Sequence, residues 1–125
     1  MAESREKIQV FVDKDNIIHV IEQLKMTDES AQAEVEAMIK LSREHNSHKL
    51  LVDIASIQVP TAKQRKIISD GLKQIKFEKA ALISNSVVIK TVANFIVSAA
   101  GHKQFEFFNS EKEALAWLKE GDNNA

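Results

Sequence analysis

The residues best suited to chemistry are short polar side chains at the ends of apolar runs. They are Asp53 and Ser56, then Ser84, Asn85 and Ser86, and finally Asn109 and Ser110. In open α/β sheets, ligands collect at the carboxyl ends of parallel strands, where helix N-termini face them. The same residue types also cap helices without binding anything, so a polar ligand site and simple capping both remain open at this edge. No glycine-rich phosphate loop, nucleophile elbow or paired catalytic carboxylate accompanies them, and we predict a protein that is not an enzyme.

The histidines do not have the spacing of a metal site. His45 and His48 lie three residues apart at the end of a predicted helix, His19 stands alone in a predicted strand, and His102 follows a turn. A zinc site needs three or four ligands at defined spacing. The chain also has no cysteine, which excludes thiolate chemistry. We therefore predict neither a metal nor a cofactor.

The segment VVIKTVANFIVSAAG, from Val87 to Gly101, is the most distinctive stretch of the chain. At 100° per residue its apolar side chains cover an arc of about 200°, whereas a surface helix needs only a stripe a little over 100° wide. We predict that the middle of this arc faces a sheet; its residues are Ile89, Val92, Ile96 and Ala99.

The two shoulders of the same arc are candidate binding surfaces. Val88 and Phe95 form one shoulder, and Ala93 and Val97 form the other. Either neighbouring helices cover both shoulders, or one of them forms a dimer interface or a groove for a protein partner or a lipid tail. The sequence leaves these alternatives open.

The elements that must position these residues follow from apolar periodicity. IQVFV and NIIHVI predict a hairpin around DKD, and KLLVDI, KAALIS and QFEFF predict further strands. Helices are predicted between them and after the last strand. The resulting order is β-β-α-β-α-β-α-β-α. It indicates an α/β fold with a five-stranded, mostly parallel sheet, an N-terminal antiparallel hairpin and four helices.

Length and charge narrow the class of protein further. The 125 residues predict a single domain, with residues 1–6 and 121–125 frayed. The formal net charge of −1 gives no overall field for nucleic acid or anionic lipid. The N-terminus lacks a signal-peptide pattern, and the longest apolar-rich segment falls short of the roughly 20 residues of a membrane span. We expect a soluble, cytoplasmic protein without a transmembrane segment.

Three segments carry a resemblance to a known family: LLVDIASI, the helix containing TVANFIV, and FFNSEKEALAWLKE. Together they resemble small bacterial STAS-like proteins, which share the SpoIIAA-like fold of anti-sigma-factor antagonists and are similar to the lipid-binding Sec14 domain. The likeness extends from about Ile8 to Glu120. It implies a binding or regulatory module: either a protein-interaction module, with self-association through helix 87–100 as one form, or a carrier or sensor of a small apolar ligand.

The sequence departs from that family at its phosphorylation site. Sigma-antagonist members carry Asp-Ser-x-Gly after the strand that corresponds to LLVDI, whereas this chain reads ASIQVPTAKQRK. Ser56 and Thr61 lie in this region, but neither is in the motif. The resemblance therefore does not extend to the phosphoswitch.

Overall fold

Strands and helices alternate along the chain in the predicted order. The computed structural model describes residues 8–22, 25–55, 57–102 and 104–120. Within these, the elements are β1 (Gln9–Val12), β2 (Ile17–Ile21), α1 (Asp28–His45), β3 (Lys49–Asp53), α2 (Ala62–Leu72), β4 (Lys79–Ile83), α3 (Val87–Ala99), β5 (Phe105–Phe108) and α4 (Glu111–Leu118). The fold class predicted from the sequence is thus confirmed. The segments expected to fray, residues 1–6 and 121–125, lie outside the described residues.

The sheet has the strand order β1-β2-β3-β4-β5. β1 pairs antiparallel with β2 through the predicted hairpin, and every later pair is parallel. Each helical crossover therefore returns the chain to the position next to the strand it left. Sequence reasoning did not give this order, because apolar runs show that strands exist but not which of them are neighbours.

Each helix begins behind a hydroxyl residue. Thr27, Thr61, Ser86 and Ser110 are the N-caps of α1 to α4, and each side chain accepts a hydrogen bond from a backbone N–H in the first turn. Such a cap satisfies one of the free N–H groups at a helix start and contributes about 1 kcal/mol. The short polar residues therefore fix where the apolar helices start.

The helices cover the two faces of the sheet unequally. On one face Ile18, Val20, Leu50 and Ala80 form a core with residues of α1 and α2, and α3 packs beside it on Leu82. On the other face α4 alone contributes Ala114 and Leu118 to a smaller core with alternate strand residues such as Leu51. The alternation follows the two-residue period of a strand.

The observed orientation of α3 differs from the predicted one. Ile89 is buried as expected, but Val92 and Ile96 are only half-buried and Ala99 is exposed. The buried stripe instead runs along Ile89, Ala93 and Val97. At 100° per residue this is a rotation of roughly 80°. It brings the Ala93 shoulder toward the core and leaves the Phe95 shoulder outside.

Candidate functional site

One shoulder of α3 is exposed although it is apolar. The side chains of Val87, Val88 and Phe95 are 78%, 59% and 70% exposed. Val88 and Phe95 share a face with half-buried Val92 and exposed Ala99, and these four residues are called the α3 strip below. This half of the predicted surface is therefore accessible in the single chain.

The helix that carries the α3 strip has a single charged residue. Lys90 is the only charged residue of α3, and it is half-buried with its Nζ 6.0 Å from the ring centre of Phe107. The hydroxyl of Thr91 donates to the carbonyl oxygen of Val87 at 2.9 Å, so it is bonded to the helix itself. The exposed side of α3 also carries the polar, uncharged residues Thr91, Asn94 and Ser98, so the α3 strip is an apolar surface bordered by neutral polar groups.

The other predicted shoulder is not a surface. Ala93 and Val97 are buried, with 8% and 6% exposure, in a cluster with Ile54, Leu82 and Ile89. The rotated helix packs these two residues against β3 and β4, so this shoulder is covered by its own chain, one of the alternatives that the sequence left open. Both residues line an internal cavity.

This cavity lies between the sheet and helices α1, α2 and α3, and has a volume of about 70 Å³. Its walls are largely aliphatic; they include Met38, Leu50, Val52, Ile68, Leu72, Leu82, Ile89 and Ile96. Ala80 of β4 and Ala93 of α3 also line it. Because each contributes only a methyl group where helix and sheet face each other, the space between them stays unfilled.

Two acidic residues, Glu22 and Glu34, interrupt the apolar wall. Glu22 directly follows β2, and its N–H donates to the carbonyl oxygen of Asp53 at 3.1 Å, which extends the pairing of β2 with β3. Glu34 lies on the buried face of α1. Each residue is only 3% exposed. The strand extension and the helix thus hold two carboxyl groups inside the protein.

The two carboxyl groups hydrogen-bond to each other. Burial raises the pKa of Glu34 well above its ordinary 4.5, and the charge of Glu22 and their shared hydrogen bond raise it further. Burial also raises the pKa of Glu22, against the opposing effect of the hydrogen bond from Glu34. Glu34 is therefore the protonated partner and donates to Glu22. Among the described residues, the Oε1 atom of each side chain has no hydrogen-bond partner; we call this arrangement the carboxyl pair.

The sequence analysis did not identify the carboxyl pair, although the position of Glu34 in the sequence could have indicated a buried acidic residue. Glu34 follows Ala31 by three residues and precedes Met38 by four, so helical spacing places it within the apolar stripe of α1. A charged residue at such a position is a sign of a buried polar group. Glu22 lies at the end of an apolar strand, and its sequence context gives no comparable sign.

The predicted polar edge is mostly occupied with local structure. The Oγ of Ser84 accepts from the N–H of Ser86 at 3.2 Å, and the Oγ of Ser86 accepts from the N–H of Ile89 at the start of α3. Asp53 accepts from the N–H of Ala55 at 3.1 Å. Asn85 is exposed, and Ser56 lies outside the described residues. The hydroxyls of Ser84 and Ser86 thus serve the cap of α3.

The histidines are distributed rather than clustered. His19 is buried on the α4 side of the sheet, where its Nε2 lies 2.7 Å from Asp13 Oδ2 and its ring stacks on Phe11. His102 donates from Nε2 to the carbonyl oxygen of Leu72 at 2.8 Å. In the part of the chain that the structure describes, no three His, Asp or Glu side chains come together in a metal-binding arrangement.

The fold and the comparisons define the class of protein. Among solved structures, the chain is similar to an uncharacterized protein of the DUF3478 family with a SpoIIAA-like fold, from Shewanella loihica PV-4. The two share 18% identity over 89% of this chain and 91% of that one, with a TM-score of 0.58. The chain thus has the SpoIIAA-like fold, as its sequence resemblance predicts.

A family model assigns the chain to a specific protein family. The model of a domain of unknown function, DUF7793, matches residues 11–121, and the chain belongs to this family. No curated protein matches it. None of the helices in residues 8–22, 25–55, 57–102 and 104–120 combines the length and apolar character that crossing a membrane requires.

Proposed function

We propose that the protein is a non-enzymatic STAS-like interaction module that pairs with a second copy of itself through α3. The observation that carries this proposal is the exposed, uncharged α3 strip. Phe95, at 70% exposure, contributes little to the core of its own chain. An apolar patch of this kind on an outer helix is typical of a protein–protein contact.

The spacing of the α3 strip supports a helix pair. Val88, Val92, Phe95 and Ala99 follow one another at intervals of four, three and four residues. This alternation is the seam pattern of two helices packed side by side, in which each side chain enters a gap between residues of the facing helix. In an antiparallel pair centred on the strip, Ala99 faces Val88 and Phe95 faces Val92 of the neighbour.

The charge of the surface favours a second copy over a different partner. A two-fold contact places the same patch of both copies face to face, so a charge near the centre of the patch would meet its own sign. The exposed side of α3 carries no carboxylate, and its single lysine is half-buried over Phe107. Self-pairing therefore brings no like charges together along this strip.

Light scattering coupled to size-exclusion chromatography tests this proposal. We expect the wild type to have twice the chain mass at concentrations of about 10–500 µM, because interfaces of standard size have micromolar or tighter dissociation constants. Val88→Glu and Phe95→Glu should each give monomers. Val59→Glu is the matched control, because Val59 is 51% exposed but lies outside α3; it should remain dimeric. A wild type that is monomeric throughout, or a dimer that survives both α3 substitutions, would contradict the proposal.

A second candidate function is the binding of a small apolar ligand, and the cavity beside α3 favours it. Its volume of about 70 Å³ is roughly half that of the ~150 Å³ apolar cavities that accept benzene. The ligand, or the part of it that enters, is therefore only a few atoms in size. This argues for a sensor of small molecules rather than a carrier of long lipid chains.

Native mass spectrometry of the protein purified from its source tests the second candidate. A bound molecule should be released by Ala93→Leu, which fills the cavity, and retained by Ala33→Leu, whose site on α1 is exposed. Absence of any co-purifying molecule, together with no binding of added small ligands, would contradict this function.

A further inference from the structure

The unpartnered atoms of the carboxyl pair specify what a ligand must offer. Because the proton of Glu34 is used in the hydrogen bond to Glu22, both free Oε1 atoms are acceptors. Their missing partners must therefore be N–H or O–H donors. A ligand with a carboxylate or phosphate group would instead bring further acceptors and negative charge to the same place.

The charge of the pair favours a cation among the possible donors. Two carboxyl groups that share one proton retain one negative charge, and each residue is only 3% exposed. A buried charge without a counter-charge is costly, whereas a charge-assisted hydrogen bond is roughly twice as strong as a neutral one. An ammonium group supplies both the positive charge and enough N–H donors for two acceptors.

The rest of the cavity specifies the body of the ligand. Its aliphatic lining, including Leu82 and Ile89, offers contact to an alkyl chain and no further charge in that part of the wall. By proportion to the ~150 Å³ cavities that hold benzene, about 70 Å³ admits about three non-hydrogen atoms. The cavity is partly open, so a longer molecule can place one end inside it.

We propose that this cavity binds the ammonium end of a small alkylamine, with the nitrogen on the two free Oε1 atoms of Glu22 and Glu34 and the alkyl chain against α3 and β4. This inference rests on the second candidate function and names the ligand's chemistry. A water molecule can satisfy the same two acceptors, but it gains nothing from the aliphatic wall. The contribution of the alkyl chain therefore distinguishes an amine site from a hydration site.

An NMR titration of the full chain with three probes of similar size tests the proposal. The probes are n-propylammonium, n-propanol and propionate, each added to about 20 mM at constant ionic strength, a range suited to ligands of four or five non-hydrogen atoms. Saturable shifts of backbone amides around the cavity should appear with n-propylammonium. Binding of n-propanol should be at least about tenfold weaker, and propionate should not bind. Ammonium without the alkyl chain should bind more weakly than n-propylammonium.

Substitutions then connect the binding to the carboxyl pair. Glu22→Gln keeps the shape of the side chain but removes its charge. It should weaken the binding of n-propylammonium at least about tenfold and change the binding of n-propanol little. Glu36→Gln, on the exposed side of α1, should change neither. Ala93→Leu should abolish both by filling the cavity, and it provides the test if Glu22→Gln does not fold.

The possible failures are distinguishable. Equal binding of n-propanol and n-propylammonium, or n-propylammonium binding unaffected by Glu22→Gln, would overturn the amine assignment and leave the small-ligand function standing. Equal binding of ammonium and n-propylammonium would overturn the role of the aliphatic wall. If neither propyl probe binds, or if Ala93→Leu binds n-propylammonium as well as the wild type, the small-ligand cavity is overturned as well.

Discussion

The carboxyl pair should make the protein less stable as the pH rises through the range where Glu34 titrates. Burial and the neighbouring Glu22 raise the pKa of Glu34 well above the 4.5 of an ordinary glutamate. Between these two values the folded state keeps a proton that the unfolded state has lost. The free energy of unfolding therefore falls with increasing pH over this interval. The stabilising contribution is fully present below pH 4.5 and is lost as the pH passes the folded-state pKa.

Glu34→Gln isolates this effect. The amide is neutral at every pH, and its NH₂ group can still donate to Glu22. One proton difference corresponds to about 1.4 kcal/mol per pH unit. Relative to the wild type, the free energy of unfolding of the variant should therefore increase by up to about 1.4 kcal/mol for each pH unit above 4.5, until the folded-state pKa is passed. For comparison, a whole domain is stable by about 5–15 kcal/mol.

Urea unfolding followed by the fluorescence of Trp117, measured from about pH 4 to pH 8, gives both stabilities. His102, which also lines the cavity, is present in both proteins and therefore does not contribute to the difference between them. Glu36→Gln measures the same substitution at an exposed position of the same helix. A difference between Glu34→Gln and wild type that does not change with pH would refute the buried, protonated assignment of Glu34.

Three further substitutions test how the fold is held together, each by urea unfolding. Gly71→Ala would place a Cβ 2.5 Å from Cβ of Val35, where α2 crosses α1, and should cost about 1–3 kcal/mol, partly recovered by adding Val35→Ala. Asp13→Ala removes a carboxylate that accepts from His19 and from two backbone N–H groups of the hairpin, and should cost about 2–3 kcal/mol at pH 7. Burial favours the neutral form of Asp13, but these hydrogen bonds outweigh it and hold its pKa below 3.8, so this contribution is present above pH 3.8 and lost as the pH falls through the folded-state pKa. Ser86→Ala removes the cap of α3 and should cost about 1 kcal/mol; an unchanged stability in any of the three would contradict the contact concerned.

The element order could be predicted because the apolar pattern and the helix-capping residues indicate the same strands and helices. Apolar runs of strand length alternate with amphipathic stretches, and hydroxyl residues such as Thr61 and Ser110 stand where helices begin. Gly71 shows the limit of such reasoning. As a glycine in a helix it indicates only a local weakness, whereas its role, the close approach of α1 and α2 at Val35, depends on a contact 36 positions away in the chain.

The rotation of α3 could not be predicted for a related reason. An apolar arc of about 200° can face the sheet in several orientations. The elements packed against α3 decide which orientation it takes. Contact with α2 and with the twisted sheet selects Ala93 and Val97 for the inside. Phe95, the largest side chain of the helix, is left outside. Side-chain size alone would have suggested the reverse.

The exposed position of Phe95 makes the dimer test independent of folding. α3 is held to its own chain by Ile89, Ala93 and Val97, all on the opposite side from Phe95. A charge at Phe95 remains in contact with water in the monomer, so Phe95→Glu should change monomer stability by less than about 0.5 kcal/mol. Ala93→Leu, by contrast, changes the cavity and leaves the α3 strip intact. Because the two faces belong to one rigid helix but are reached by different substitutions, loss of pairing and loss of ligand binding can be assigned to separate surfaces.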